Sequence, residues 1–166
     1  MVDKILNLGC GNDCYGTDRL DFKKTGATTL IHDLNKPLPF KSNTFNEVKA
    51  FAVFEHLSNC GNFVDEIHRV LKKGGKVKLT TDNASCILYH FKGDHNDYLS
   101  TYYENNRNKE DYHRQLFVPS HLKAYFKEFR NVKVEYFSLH SGLKGALLCL
   151  IPKRFGWSCL YLEAVK

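Results

Sequence analysis

The sequence contains no run of about twenty apolar residues, which is the length that a helix needs to cross a bilayer. Asp3 and Lys4 follow the first two residues directly, and this early charge is unlike the start of a secretory signal peptide. From these two absences we expect a cytoplasmic protein with no membrane partner.

The cysteines lack the paired spacing of a zinc site. Six cysteines are scattered along the chain, and only Cys10 and Cys14 lie close together. A structural zinc ion needs about four thiolate or imidazole ligands, usually supplied as two close pairs. We therefore expect no metal, and we expect the thiols to be reduced and partly buried.

Length and charge set wide bounds on the function. A chain of 166 residues with 43% hydrophobic residues is large enough for one good core, so we expect a single domain over residues 1–166. The formal charge of +6 favours anionic partners but is modest for a dedicated nucleic-acid binder. It permits an RNA partner without requiring one.

Short apolar runs, several of them rich in β-branched residues and bounded by Gly, Asn, Asp or Pro, recur along the chain and predict strands. They cover Lys4–Leu8, Gly16–Leu20, Ala27–His32, Glu47–Phe54, Lys76–Thr80, Asn131–Leu139 and Cys159–Val165. With helical stretches between the later runs, this pattern favours an α/β sheet.

Two helices are predicted. The first spans Gly61–Lys73, where apolar residues repeat at three and four and a Lys-Lys-Gly-Gly stop follows the last turn. The second begins at Ser120 as N-cap, just after Pro119, and runs to about Phe129.

Between strand and helix lies Thr81–Pro119, a long stretch in which tyrosines alternate with His, Asn, Lys and Arg. Segments of this length in a compact domain are more often lids or binding loops than idle connectors. The tyrosines could stack nucleic-acid bases or an aromatic substrate, or they could close a lid over the core.

The stretch "ILNLGCGND" ends an apolar run in a turn with two glycines, Gly9 and Gly11. In open α/β sheets such a turn after the first strand lets the backbone approach a ligand. A dinucleotide fingerprint would need a third glycine where Cys14 stands, then a helix and an acid about twenty residues on. A nicotinamide site is therefore poorly supported.

Two acids stand where strand ends are predicted. Asp21 can accept hydrogen bonds from ribose hydroxyls, and Asp33 can accept one from an adenine amino group. Together they indicate a ligand that carries adenosine but no pyrophosphate. Asp18 competes for the first role, and Asp33 could instead cap the turn before "LNKPLP".

At this point the sequence resembles a known family. The succession "ILNLGCGND", "DRLDF", "HDLNKPLPFKSNTFNEVKAFAVFEHL" and "FVDEIHRVLKKGGKVKLTT" is similar to the class I S-adenosylmethionine-dependent methyltransferases over roughly residues 4–83. The resemblance implies a single Rossmann-like, seven-stranded, mostly parallel sheet with the last strand antiparallel. The cofactor it implies is S-adenosylmethionine.

The resemblance also implies roles for individual residues. Gly9 and Gly11 would hold the methionine part of the cofactor, Asp21 the ribose, Asp33 with Leu34 the adenine, and Phe51 the methyl side.

Two positions depart from the family. The family usually has an acid where Asn7 stands, although the side-chain oxygen of Asn7 can still accept a hydrogen bond. The helix after the glycine turn is shortened here to about one turn or a loop.

Catalytic and substrate candidates follow the fourth strand and lie in the long insert. His56 is a candidate general base, with loop capping as the alternative. Glu55, His113 and Arg114 are candidate substrate residues, although a solvated basic loop also explains the last two.

We therefore expect an enzyme that moves the methyl group of S-adenosylmethionine to a small molecule, an RNA or a protein. No Asn-Pro-Pro-Tyr or Asp-Pro-Pro-Tyr sequence stands where "FEHL" lies, which argues against exocyclic amino groups of bases as targets. The alternative is a non-catalytic binding or assembly subunit with the same fold. A nicotinamide-dependent oxidoreductase ranks third.

Overall fold

The computed structural model describes residues 3–87, 113–138 and 150–166. Their strands are β1 Ile5–Leu8, β2 Asp18–Asp21, β3 Leu30–Ile31, β4 Phe45–Phe51, β5 Leu71–Asp82, β6 Arg130–Phe137 and β7 Cys159–Val165. Their helices are a 3₁₀ helix at Phe54–His56, α1 at Cys60–Val70, α2 at Pro119–Tyr125 and α3 at Lys153–Gly156.

The strands form one seven-stranded sheet in the order β3-β2-β1-β4-β5-β7-β6. Strands β1 to β5 pair in parallel, whereas β7 is antiparallel to both β5 and β6. The predicted fold class, a mostly parallel Rossmann-like sheet with an antiparallel last strand, is confirmed.

Strand β1 is buried on both faces, whereas β4 and β5 bury one face and leave charged side chains partly exposed on the other. On α1 the apolar residues at spacings of three and four are buried and pack against the sheet; they are Phe63, Val64, Ile67 and Val70. The side chain of Asn59 caps this helix by accepting a hydrogen bond from the backbone N–H of Asn62.

Several predicted boundaries are wrong. Helix α1 ends at Val70 rather than Lys73, because Leu71 pairs with Phe45 and already begins β5. Strand β4 ends at Phe51, before the 3₁₀ helix.

Helix α2 is also shorter than predicted. Its N-cap is Val118, Pro119 occupies the first turn, and it ends at Tyr125. Pro is well suited to the first turn because the N–H that it lacks would have no partner inside the helix.

The first helix of the fold is replaced by a loop between β1 and β2. The Asn7 side-chain amide donates to the Asp13 carboxylate and to the Tyr15 carbonyl, both at 3.2 Å. Asp13 also pairs with Lys49 of β4, and the Tyr15 hydroxyl donates to Glu47 at 2.6 Å. Polar contacts to β1 and β4 therefore hold this loop where a helix would otherwise pack.

A guanidinium group fixes the segment between β3 and β4 against α1. Arg69 donates to the carbonyl oxygens of Phe40 at 2.7 Å and Leu38 at 3.0 Å, and it pairs with Glu66 at 2.7 Å. Glu66 in turn accepts from the Leu38 N–H at 2.6 Å. No helix in these parts of the chain is long and apolar enough to cross a membrane.

Arg69→Lys should lower the free energy of unfolding by about 1–3 kcal/mol, because an ammonium group cannot reproduce the planar set of donors. Chemical denaturation would measure the change. Lys73→Arg on the exposed surface is the matched control and should have almost no effect. Equal stability of Arg69→Lys and the parent protein would contradict this role.

Candidate functional site

The glycine turn after β1 leaves the sheet with two residues at positive φ. Gly9 has φ +66° and Gly11 has φ +52°, a region that favours glycine. A Cβ on Gly9 would lie 2.2 Å from Cγ2 of Val53, whereas a Cβ on Gly11 would meet no atom within 4 Å. Gly9 is therefore needed for packing, and Gly11 faces open space.

Asp21, the last residue of β2, ties this turn to the next strand. Its side chain is buried, with Oδ2 accepting from the Gly11 N–H at 2.8 Å and Oδ1 accepting from the Lys23 N–H at 3.0 Å. Each carboxylate oxygen can accept more than one hydrogen bond, so both can still bind a ligand hydroxyl.

A cavity of about 740 Å³ opens at the carboxyl ends of the first strands. It is lined by Gly9, Gly11, Asp21, Phe22, Ile31, His32, Asp33, Leu34, Asn35, Lys36, Ala52, Val53, His56, Leu57 and Arg114. This is the edge at which open α/β sheets bind their ligands, and the volume suits a ligand of nucleoside size.

The chain turns sharply just after β4, at the wall of the cavity. Ala52 has φ +51°, which is uncommon for a residue with a Cβ, and its N–H donates to both the carbonyl and the hydroxyl of Thr80. The turn directs Val53 towards Gly9 and starts the 3₁₀ helix that carries Glu55 and His56. Strained backbone of this kind often occurs at functional sites.

Beside the cavity, the 3₁₀ helix meets the residues that precede α2. The imidazole rings of His56 and His113 are perpendicular with centroids 4.5 Å apart, and Nδ1 of His113 lies 2.7 Å from Oδ2 of Asp82. The carbonyl of Glu55 accepts from the N–H groups of Arg114 at 2.6 Å and Gln115 at 3.2 Å.

Glu55 is the most deeply buried acid of this region. Burial raises the pKa of its carboxyl group to about 7, and the neighbouring Asp82 adds to the rise. The Thr81 hydroxyl donates to Oε2 of Glu55 at 2.9 Å. This hydrogen bond and the nearby His113 both lower the pKa of Glu55, against the effect of burial.

Comparisons with known proteins agree with this geometry. Residues 16–79 match a family model described as a methyltransferase domain. An S-adenosylmethionine-dependent methyltransferase from Thermotoga maritima superposes with a TM-score of 0.69 at 14% identity, covering 100% of this chain and 83% of that one. Residues 16–79 therefore resemble a methyltransferase domain, and the solved structure shares the fold of this chain.

Two further solved structures share this fold. A Haloferax volcanii protein in complex with the Trm112 methyltransferase activator gives a TM-score of 0.64 at 16% identity, over 98% of this chain and 81% of that one. Haemonchus contortus phosphoethanolamine N-methyltransferase 2 in complex with S-adenosyl-L-methionine gives a TM-score of 0.65 at 15% identity. This match covers 99% of this chain and 48% of that one. A sequence search of curated proteins finds no match.

The cavity brings together most of the predicted site residues. Those that line it are Gly9, Gly11, Asp21, Asp33, Leu34, His56 and Arg114. Asp33 also forms the predicted turn, because its Oδ1 accepts from the N–H and the side-chain amide of Asn35. The bond to the Asn35 N–H is the main cause that lowers the pKa of Asp33.

Four predicted residues lie outside the cavity lining. Asn7 faces the β1–β2 loop, and the ring of Phe51 lies 4.5 Å from Nζ of Lys49. Glu55 and His113 lie with His56 in the adjoining cluster. Their assigned roles stay predictions, and Tyr89, Tyr98, Tyr102, Tyr103 and Tyr112 of the insert lie outside the described residues.

Sequence reasoning missed several residues of the site. Phe22, Ile31 and His32 line the cavity because they border the two predicted acids, a proximity that could have identified them. Asp82 ends β5 but gave no signal, since its partner His113 is distant in sequence. Asp13 was part of the quoted glycine turn, yet nothing local indicated its contact with Lys49.

Gly9→Ala should destabilise the domain by about 2–4 kcal/mol, because it combines an unfavourable φ with a clash against Val53. The double variant Gly9→Ala/Val53→Ala removes the clashing Cγ2, so thermal denaturation should find it less destabilised than the sum of its two single changes. Additive losses would contradict the close packing of these residues.

Glu55→Gln should alter how stability depends on pH. In the folded parent protein the pKa of Glu55, about 7, lies above its ordinary value of 4.5. Its stabilising contribution is therefore complete below the ordinary value and is lost as pH rises through 7.

In buffer with EDTA, the parent melting temperature should fall relative to that of Glu55→Gln as pH increases from about 5 to about 8. The matched control, Glu135→Gln on the exposed face of β6, should track the parent protein. Parallel curves for parent and Glu55→Gln would refute the raised pKa.

Proposed function

We propose that this chain binds S-adenosylmethionine in the cavity and transfers its methyl group to an acceptor. The observation that carries the proposal is the buried carboxylate of Asp21, which enters the cavity beside the glycine turn with hydrogen-bonding capacity remaining on both oxygens. Two ribose hydroxyls are suitable donors for such a carboxylate.

The rest of the cavity fits the remaining parts of that cofactor. Phe22, Ile31 and Leu34 provide apolar surface for an adenine ring, and Asp33 lies beside them to accept from its amino group. The open space at Gly11 allows a ligand to approach the backbone closely. These residues would hold the adenosine part, with Gly9, Ala52 and Val53 next to the methionine part.

When bound, S-adenosylmethionine supplies a methyl group already activated on a sulfonium. The protein then needs chiefly to align the acceptor and exclude water. His56 lines the cavity and can take up an acceptor proton, and Arg114 can neutralise negative charge on an acceptor. We assign acceptor binding to residues 81–119 of a single domain. His113 and Arg114 belong to this segment, and they lie at the edge of the cavity.

A second candidate function is a binding or assembly subunit without turnover. The loop between β1 and β2 favours it, since the cavity lacks the helix N-terminus that would otherwise point at a bound ligand. A partner protein could complete such a pocket, and the Haloferax volcanii neighbour was solved with an activator.

Calorimetric titration with S-adenosylmethionine, S-adenosylhomocysteine and NAD tests the proposal. The parent protein should bind the first two and not NAD. Asp21→Ala should weaken binding by at least about tenfold, the loss expected for charge-assisted hydrogen bonds. Asp18→Ala is the matched control, because Asp18 contacts Thr17 and does not line the cavity.

His56→Ala separates the two candidate functions. As an enzyme, the protein should keep its cofactor affinity in this variant and lose turnover of added acceptors, by about 10²–10⁴-fold if His56 is the general base. Cofactor binding by the parent without turnover on small-molecule, RNA or protein acceptors would favour the binding subunit. Absence of binding to all three ligands would refute the cofactor proposal.

A further inference from the structure

The fold brings three potential metal ligands together at the edge of the cavity. Glu55 and His56 come from the 3₁₀ helix, and His113 comes from the segment before α2. One ligand atom from each of these residues lies within 4.8 Å of the others. Nothing in the proposed handling of the cofactor requires this convergence.

We propose that Glu55, His56 and His113 bind a divalent first-row transition metal, of the Zn²⁺ or Fe²⁺ type. Two imidazoles and one carboxylate form a donor set that both ions use in catalytic sites. Metal–ligand bonds of about 2.1 Å place ligand atoms roughly 3–4 Å apart, so small side-chain rotations would bring the three donors into place.

Two neighbouring residues, Asp82 and Thr81, contact the side chains of the proposed ligands. Oδ2 of Asp82 lies 2.7 Å from Nδ1 of His113, although the two atoms are not aligned for a hydrogen bond. A carboxylate behind a ligating histidine fixes its orientation and makes it a stronger ligand. On the other side, Thr81 donates to Oε2 of Glu55 and holds that carboxylate in position.

The charges of the cluster also favour a cation. Glu55 is 2% exposed and the side chain of Asp82 is 15% exposed, so two acids are placed close together away from solvent. Bringing carboxylates into such surroundings is costly unless positive charge compensates them. A divalent ion bound by neutral imidazoles would balance both acids.

Three protein ligands leave at least one coordination position for another molecule. His56 belongs both to the cluster and to the cavity lining, so that position would open towards the cavity. An acceptor with a hydroxyl group fits it, because the metal would lower the pKa of that hydroxyl, whose proton would pass to solvent. His56 would then act as a metal ligand instead of as the general base. This assignment of a hydroxyl acceptor rests on the proposed methyl transfer, whereas the metal site itself does not.

This donor set of one carboxylate and two imidazoles differs from the cysteine-based zinc site that was considered from the sequence. The expectation of no metal rested on the spacing of the cysteines, and Cys10 is buried while Cys14 is exposed. The cluster uses no thiolate, and its third ligand is supplied by chain folding rather than by a local motif. Metal binding at this cluster would therefore overturn that expectation without involving the cysteines.

Equilibrium dialysis of the EDTA-stripped protein against Zn²⁺, followed by elemental analysis, tests the site without any cofactor. Zn²⁺ is the decisive probe, because a given nitrogen and oxygen site binds it more tightly than Fe²⁺. The parent should bind about one ion per chain. His56→Ala, His113→Ala and Glu55→Gln should each weaken binding by at least about tenfold, and Asp82→Asn by about 10–100-fold.

Two variants serve as matched controls. His32→Ala changes a histidine that lines the same cavity outside the cluster, and Cys14→Ala changes an exposed thiol; both should bind Zn²⁺ like the parent. Glu55→Gln preserves side-chain size, and circular dichroism would verify that each variant is folded.

Absence of Zn²⁺ binding by the parent would overturn the proposal. So would loss of binding in either control with retention in folded His56→Ala and His113→Ala. Because no cofactor is present, these outcomes are independent of whether S-adenosylmethionine binds.

Discussion

The close packing of Val53 against Gly9 is the constraint on which the site depends. Strands β1 and β4 are parallel neighbours, so the turns that follow them leave the sheet at the same edge. They can lie side by side only because Gly9 has no Cβ. Because of this contact, the turn after β1 places Gly11 beside Asp21 and the turn after β4 places His56 in the cavity lining. The absence of a side chain at Gly9 therefore determines the position of both turns.

The apolar runs were sufficient to predict the strands, because alternating or continuous apolar residues reflect burial directly, whereas the mostly parallel sheet with an antiparallel last strand followed from the family resemblance. The predicted ends of helices and strands were wrong where the local sequence pattern and the strand pairing disagreed. Lys72 and Lys73 followed by two glycines are typical of a helix end, yet pairing with β4 extends β5 back to Leu71. Strand β3 is much shorter than its apolar run because it lies at the sheet edge and pairs with β2 alone.

The same distinction applies to the site. Gly9, Gly11, Asp21 and Asp33 could be predicted, since each follows a strand and the ends of parallel strands converge. The association of His113 with Glu55 and His56 could not, because it depends on where the chain returns after β5. The loop that replaces the first helix is a similar case, as its anchor Asp13 acts through Lys49 of a different strand.

The backbone carbonyl of Glu55 has a consequence beyond hydrogen bonding. It accepts from both Arg114 and Gln115, so the same residue docks the returning segment and presents a carboxylate to the cluster. If a ligand at the cluster shifts the docking of residues 113–117, docking changes the affinity for that ligand by the same free energy. Such a coupling between ligand binding at the cluster and docking of this segment can be measured from either side.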